Sequence, residues 1–167
     1  MKKRAALHNL GCKVNAYETE AMRQMLEEDG YEIVPFEPGA DVYVINTCTV
    51  TNIADRKSRQ MLHKARKMNP DAIVVAAGCY VETADGDVEK DPAIDIILGN
   101  NQKNQLVSVI RDFEQKRAGK RAEEPSGAMT KKIDINHTKE YENLIIDRTE
   151  NRTRADIKVQ DGCNQFC

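Results

Sequence analysis

Five cysteines are the residues of this sequence whose type and spacing could do chemistry. They are Cys12, Cys48, Cys79, Cys163 and Cys167. The last two form a Cys-x-x-x-Cys pair behind a glycine, whereas the first three are widely separated. In a reducing cytosol stable disulfides are disfavoured, and a set of thiols then points to metal binding or catalysis. Free cysteine is also a common buried small hydrophobe, so the context of each cysteine has to decide between these interpretations.

The segments around the first three cysteines predict strands that alternate with helices. Apolar, β-branched runs predict strands at 4–9, 31–36, 42–46, 71–78 and 93–99, and helical spacing predicts helices at 16–29, 52–70 and 101–119. Such alternation is typical of an α/β fold. We therefore expect an open parallel sheet with helices on both faces, of the Rossmann-like or flavodoxin-like kind.

Each of the first three cysteines follows a different predicted strand. Cys12 follows the first strand, Cys48 the third and Cys79 the fourth. The carboxyl ends of parallel strands meet at one edge of the sheet, where open α/β folds bind ligands, so we expect these thiols to be neighbours in space. Each also lies near the start of a helix, where the helix dipole favours a thiolate. Gly11 and Gly78 directly precede two of the cysteines and permit a close approach of the backbone.

Three converging thiols leave several interpretations open. Structural zinc usually has four ligands with local Cys-x-x-Cys spacing, which these three positions lack. An iron–sulfur cubane held by three cysteines keeps one iron open for another ligand. Three unrelated buried thiols are the remaining interpretation. The polar residues nearby either bond the sulfurs and organise the loops or merely cap helices; they are Asn15, Asn46, Thr47 and Thr49.

Length and composition restrict the class of protein. The 167 residues carry a formal net charge of -2, so global charge does not indicate a nucleic-acid binder. No apolar run reaches the length of a membrane span, and the apolar stretch of the basic N-terminus is too short for a signal peptide, so we expect a cytoplasmic protein without a membrane partner. We predict one domain at 1–118, a polar linker at 119–153 and the start of another domain at 154–167.

The motifs "LGCKVNAYETE", "INTCTVT", "AAGCY", "ILGN" and "DGCNQFC", in this order, resemble the methylthiotransferase family of radical S-adenosylmethionine enzymes. The resemblance implies that Cys12, Cys48 and Cys79 hold an auxiliary 4Fe–4S cluster. It also implies that Cys163 and Cys167 are two of the three ligands of a second 4Fe–4S cluster that binds S-adenosylmethionine. Residues 154–167 would then be the first strand of a truncated radical-SAM barrel, and the 167-residue fragment alone would not turn over.

Within this family, "GCKVN" and "NTCTVT" most resemble the branch that methylthiolates N6-threonylcarbamoyladenosine beside the anticodon of tRNA. The implied partners of the full-length protein are tRNA and an electron donor such as a flavodoxin. The alternatives are a methylthiotransferase acting on isopentenyladenosine tRNA or on a ribosomal protein, and a non-catalytic zinc or RNA-binding module. A dinucleotide-binding module is disfavoured because "LGCKVN" has no G-x-G-x-x-G pattern.

Overall fold

The sheet is parallel throughout, as the sequence predicts. The structure is a computed structural model that describes residues 2–48, 51–83, 88–100, 102–119, 129–131, 144 and 146. Its strands are β1 (Arg4–Asn9), β2 (Glu32–Ile33), β3 (Val42–Thr47), β4 (Ile73–Gly78), β5 (Ile96–Leu98) and β6 (Met129–Lys131). They pair in the order β2-β1-β3-β4-β5-β6, and each pairing is parallel. The first five strands have the flavodoxin-like order, which confirms the predicted fold class.

Helices cover both faces of this sheet. They are α1 (Lys13–Glu28), α2 (Asn52–Met68), the short α3 (Cys79–Thr83) and α4 (Leu106–Gly119), and a 3-10 turn at Lys103–Gln105 precedes α4. One core holds apolar residues of α1 and α4, such as Met22 and Ile110, and the other holds residues of α2 and α3, such as Leu62 and Val81. Because β3 and β4 lie between these two cores, every residue of both strands is buried.

The edge strand β2 is shorter than the sequence predicts. The apolar run at 31–36 predicts a full strand, whereas only Glu32 and Ile33 are assigned to one. Pro35 has no N–H to donate to a ladder, so the strand pairing ends before it. The backbone N–H of Val34 still donates to the carbonyl of Ala5 at 2.9 Å, which holds the segment beside β1.

Two described pieces of the predicted linker contact the domain. The strand β6 lies within 119–153 and pairs with β5, with Met129 opposite Ile96. Leu144 is buried, and its carbonyl oxygen accepts a hydrogen bond from the Tyr17 hydroxyl at 2.8 Å. Residues 154–167, and with them Cys163 and Cys167, lie outside the described residues, as does most of 119–153. In the part of the chain that the structure describes, no helix is both long and apolar enough to cross a membrane.

Candidate metal centre at the carboxyl edge of the sheet

The structure brings the first three cysteines to one edge of the sheet. Cys12 is the N-cap of α1, three residues after β1 ends; Cys48 directly follows β3; and Cys79 is the first residue of α3, directly after β4. These strands are neighbours in the sheet, and Thr47 is paired with Gly78, so Cys48 and Cys79 leave adjacent strands at the same level.

The edge of the sheet that carries Cys12, Cys48 and Cys79 is also where the helical connections change from one face of the sheet to the other. From β1 the chain enters α1, which packs on one face of the sheet, and from β3 it enters α2, which packs on the other. Open α/β proteins bind ligands at this switch point, in the crevice outside the carboxyl ends of the strands. The two connections begin with the loops that carry Cys12 and Cys48.

Two glycines allow the cysteine loops to approach each other. A Cβ placed on Gly11 would lie 3.0 Å from Cβ of Cys48 and 2.7 Å from Nδ2 of Asn15. Gly78 has φ +97°, and a Cβ there would collide with the carbonyl oxygen of Thr47 and lie 2.6 Å from Oδ1 of Asn46. Gly78 is therefore required by its positive φ and by the close approach of the Thr47 backbone, whereas a side chain at Gly11 would displace the side chains of Asn15 and Cys48.

Two buried asparagines fasten the first two cysteine loops together. Nδ2 of Asn15 donates to the carbonyl of Thr47 at 2.9 Å, and Nδ2 of Asn46 donates to the carbonyl of Asn15, also at 2.9 Å. The Cys12 thiol lies 3.8 Å from Oδ1 of Asn15 and donates to it. The sequence leaves loop organisation and helix capping open for these asparagines; both organise the loops, and the side-chain cap of α2 comes from Thr51 instead.

The three thiols differ in their exposure to solvent. Cys12 is exposed, Cys79 is half-buried, and Cys48 is buried with only 4% of its surface accessible. The backbone of Cys48 is held by Ser58 of α2, whose hydroxyl accepts from the Cys48 N–H at 3.4 Å and donates to the Cys48 carbonyl at 3.3 Å. Cys48 therefore lies deepest in the site, and Cys12 lies at its outer rim.

The electrostatics of Cys79 differ from the expectation that a helix start favours a thiolate. Burial raises the pKa of the Cys79 thiol, and the ammonium of Lys103 opposes that increase. Cys48 and Glu18 raise the pKa further, whereas a hydrogen bond with the Asn100 side chain lowers it. Desolvation is the largest of these effects, so the burial of the thiol outweighs the nearby ammonium.

A buried ion pair beside the cysteines has no counterpart in the sequence predictions. The ammonium of Lys103 donates to Oε2 of Glu18, and the two side chains are only 1% and 5% exposed. In the sequence, Lys103 stands in the polar run "NQKNQ", which is typical of a solvated helix start. No local signal distinguishes it from a surface lysine, because its burial depends on the packing of α1 against the 3-10 turn.

The donor atoms at this edge are of the type that holds an iron–sulfur cluster. Three thiols come from three loops, as in cluster sites with cysteine ligands. No three His, Cys, Asp or Glu side chains among the described residues form a group compact enough for a single metal ion. Oδ1 of Asn46, at the same edge, is buried without a hydrogen-bond partner. Cysteine thiolates are the usual ligands of iron–sulfur clusters, whereas structural zinc usually takes four ligands with local Cys-x-x-Cys spacing, so this set of three thiols fits a cluster.

Comparisons with known proteins identify the family of this chain. Residues 4–99 match the family model described as Uncharacterized protein family UPF0004. The chain is 42% identical over 162 residues to the threonylcarbamoyladenosine tRNA methylthiotransferase MtaB of Bacillus subtilis, an alignment that covers 97% of this chain and 34% of the relative. The MtaB protein of Aquifex aeolicus is 37% identical over 167 residues, which is 98% of this chain and 38% of that protein.

The chain is also similar to a second kind of relative. The tRNA-2-methylthio-N(6)-dimethylallyladenosine synthase of Ehrlichia canis is 30% identical over 165 residues, covering 96% of this chain and 35% of that protein. The chain thus spans about a third of the length of the curated relatives it matches. The family match includes β1 to β5 and the three cysteines that follow β1, β3 and β4. The chain belongs to the UPF0004 family, the N-terminal domain of the methylthiotransferases.

Proposed function

We propose that this chain is the sulfur-donor part of a tRNA methylthiotransferase that adds a 2-methylthio group to N6-threonylcarbamoyladenosine beside the anticodon. The observation that carries the proposal is the convergence of Cys12, Cys48 and Cys79 at the switch point of the sheet. In this proposal these three thiols hold an auxiliary 4Fe–4S cluster. When bound, that cluster supplies an iron with an open position for a sulfur ligand.

The residues around the cysteines have complementary roles in the proposal. Cys48 anchors the group from inside the domain, because its side chain is buried and its backbone is fastened to α2. Cys12 lies at the exposed rim, where the rest of the enzyme and the substrate approach. Asn15 and Asn46 fix the spacing of the Cys12 and Cys48 loops, so the thiols are positioned before the group binds.

We extend the proposal to Cys163 and Cys167, which the structure does not describe, and to the whole enzyme. Cys163 and Cys167 would be ligands of a second 4Fe–4S cluster that binds S-adenosylmethionine. A radical derived from S-adenosylmethionine would activate an inert aromatic C–H bond, chemistry that the cofactor supplies and side chains alone do not. The substrate would be tRNA in the cytoplasm, and the electrons would come from a carrier such as a flavodoxin. The identities of 42% and 37% to two threonylcarbamoyladenosine enzymes exceed the 30% to the dimethylallyladenosine enzyme of Ehrlichia canis, which favours the former substrate.

The full-length enzyme with this sequence tests the proposal directly. We expect it, after anaerobic reconstitution, to methylthiolate tRNA that carries N6-threonylcarbamoyladenosine, and Cys12→Ala to lower the rate on the order of 100-fold or more. Cys12 is the suitable position because its exposed side chain contributes little to the core. The measurement is mass spectrometry of nucleosides from the reacted tRNA.

Two controls make the result specific. Gln115→Ala, an exposed change on α4, should leave the rate unchanged. Transfer RNA that carries dimethylallyladenosine should be a poor substrate. Faster reaction with that second tRNA would reject the substrate assignment, and full activity of Cys12→Ala would reject the role of the cysteines. A zinc or RNA-binding module predicts no product at all and a colourless, zinc-loaded protein.

A further inference from the structure

The ion pair of Lys103 and Glu18 is the most deeply buried pair of opposite charges in the described part of the chain. Burying an ammonium and a carboxylate removes both from water, and this desolvation opposes the attraction between them. Apolar side chains of similar size often fill such a position with equal or greater stability. The fold alone therefore does not explain why a lysine is buried here.

The position of the pair relates it to the cysteine edge. Lys103 opens the 3-10 turn that follows β5, so it stands at the same carboxyl edge as the three cysteines. Glu18 lies in α1, less than two turns after Cys12. The pair thus joins the helix that begins at Cys12 to the loop that follows β5.

A chain of polar contacts leads from the ion pair to Cys79. The Lys103 ammonium donates to Oε2 of Glu18 and, at 3.2 Å, to Oδ1 of Asn100. The Asn100 side chain is also hydrogen-bonded to the Cys79 thiol. Lys103 is therefore one residue removed from a cysteine that the proposed function makes a cluster ligand. The ammonium of Lys103 makes this contact with Asn100 directly.

We propose that Lys103 is a positioning residue of the cluster site: through Asn100 it orients Cys79, and its buried charge, balanced by Glu18, sets the reduction potential of the auxiliary cluster. This inference rests on the proposed function. Hydrogen bonds to cluster sulfurs and nearby charges are among the factors by which a protein tunes such potentials. A fixed positive charge favours the reduced cluster, which carries one more electron, and the carboxylate of Glu18 moderates that effect.

Opposite changes of charge should therefore move the potential in opposite directions. Lys103→Met removes the positive charge and should lower the potential, and Glu18→Gln removes the negative charge and should raise it. For Lys103→Met we expect about a tenfold change in the ratio of reduced to oxidised cluster at a fixed applied potential, which is ~59 mV for a one-electron couple. A purely structural role for the pair predicts lower stability in both variants and no shifts of the reduction potential in opposite directions.

The experiment is an anaerobic redox titration of the reconstituted chain, followed by EPR of the reduced cluster. Cys163→Ala/Cys167→Ala serves as the background, so that only the three-cysteine site can bind a cluster. Lys3→Met is the matched control, because Lys3 also pairs with a glutamate, Glu114 at 2.6 Å, but stands at the amino edge of the sheet. Iron and sulfide are quantified in every variant before the titration.

The outcomes separate this inference from the proposed function. Opposite shifts for Lys103→Met and Glu18→Gln, with none for Lys3→Met, support it. If both variants bind a full complement of iron and sulfide but keep the reduction potential of the background protein, the inference is overturned and the cluster assignment stands. A background protein that binds no iron overturns the proposed function and this inference together. Should Lys103→Met fail to fold, the double variant Glu18→Gln/Lys103→Met replaces it, because it leaves no unpaired charge. The potential of its cluster should fall by less than the expected fall for Lys103→Met. An unchanged potential in the double variant would overturn the inference.

Discussion

Cys48→Ala is expected to abolish cluster binding by this chain. In the Cys163→Ala/Cys167→Ala background, reconstitution with iron and sulfide should load about four irons and four sulfides per chain. Cys48 is the innermost of the three thiols, and two remaining ligands do not hold a cubane securely. We expect the Cys48→Ala variant to retain almost no iron after desalting and to lose the EPR signal of the reduced cluster.

The stability of the same variant is the necessary control. Removing one buried sulfur deletes a single heavy atom from the core, so we expect a loss of about 1 kcal/mol in the free energy of unfolding. The hydrogen bonds between Ser58 and Cys48 involve only the Cys48 backbone and are kept by alanine. A folded protein without iron therefore reports on ligation and not on collapse of the domain.

The result that would contradict the prediction is equally clear. Iron and sulfide uptake by Cys48→Ala at the level of the background protein would show that this thiol is an ordinary core residue. The three cysteines would then share an edge of the sheet without sharing a ligand. A colourless protein loaded with zinc would instead support the non-catalytic module.

The fold was predictable because its central strands are buried on both faces. "VYVIN" and "AIVVAAG" read as continuous apolar runs, and both form parallel strands in which every residue is buried. The short α3 was not predicted, because it has five residues and no apolar period of its own. The strand β6 was not predicted either, since the three residues "MTK" are too few to show an alternating pattern and form a strand only by pairing with β5.

Only the part of the candidate site that follows from the positions of the strand ends was predictable from the sequence. The three cysteines follow strands in the sequence, and topology then places them at one edge. The partners that surround them come from distant positions: Asn15 and Thr47 are 32 residues apart, and Lys103 and Glu18 are 85 apart. Such contacts leave no local pattern, because a buried lysine and a solvated one have the same neighbours in sequence. Only the packing of α1 against the turn after β5 reveals the ion pair.

Gly78→Ala should be the most destabilising small substitution at this edge. The residue has φ +97°, a conformation that strains any side chain, and the added methyl group would collide with the Thr47 carbonyl and with Oδ1 of Asn46. Both obstacles are held in place, because Thr47 belongs to β3 and Asn46 is hydrogen-bonded to Asn15. We expect a loss of about 3–5 kcal/mol in the free energy of unfolding, measured by urea denaturation of the metal-free chain.

Gly30→Ala separates the strain of the backbone from the collision. Gly30 has φ +92°, nearly the same conformation, but a Cβ there would meet no atom within 4 Å. It should therefore lose only about 1–2 kcal/mol, the penalty of the left-handed conformation itself. Equal losses of stability in the two variants would show that β4 can move away from β3 without a further loss of free energy of unfolding. A larger loss for Gly78→Ala, together with weaker cluster binding, would show that the approach of these two strands is what brings Cys79 beside Cys48.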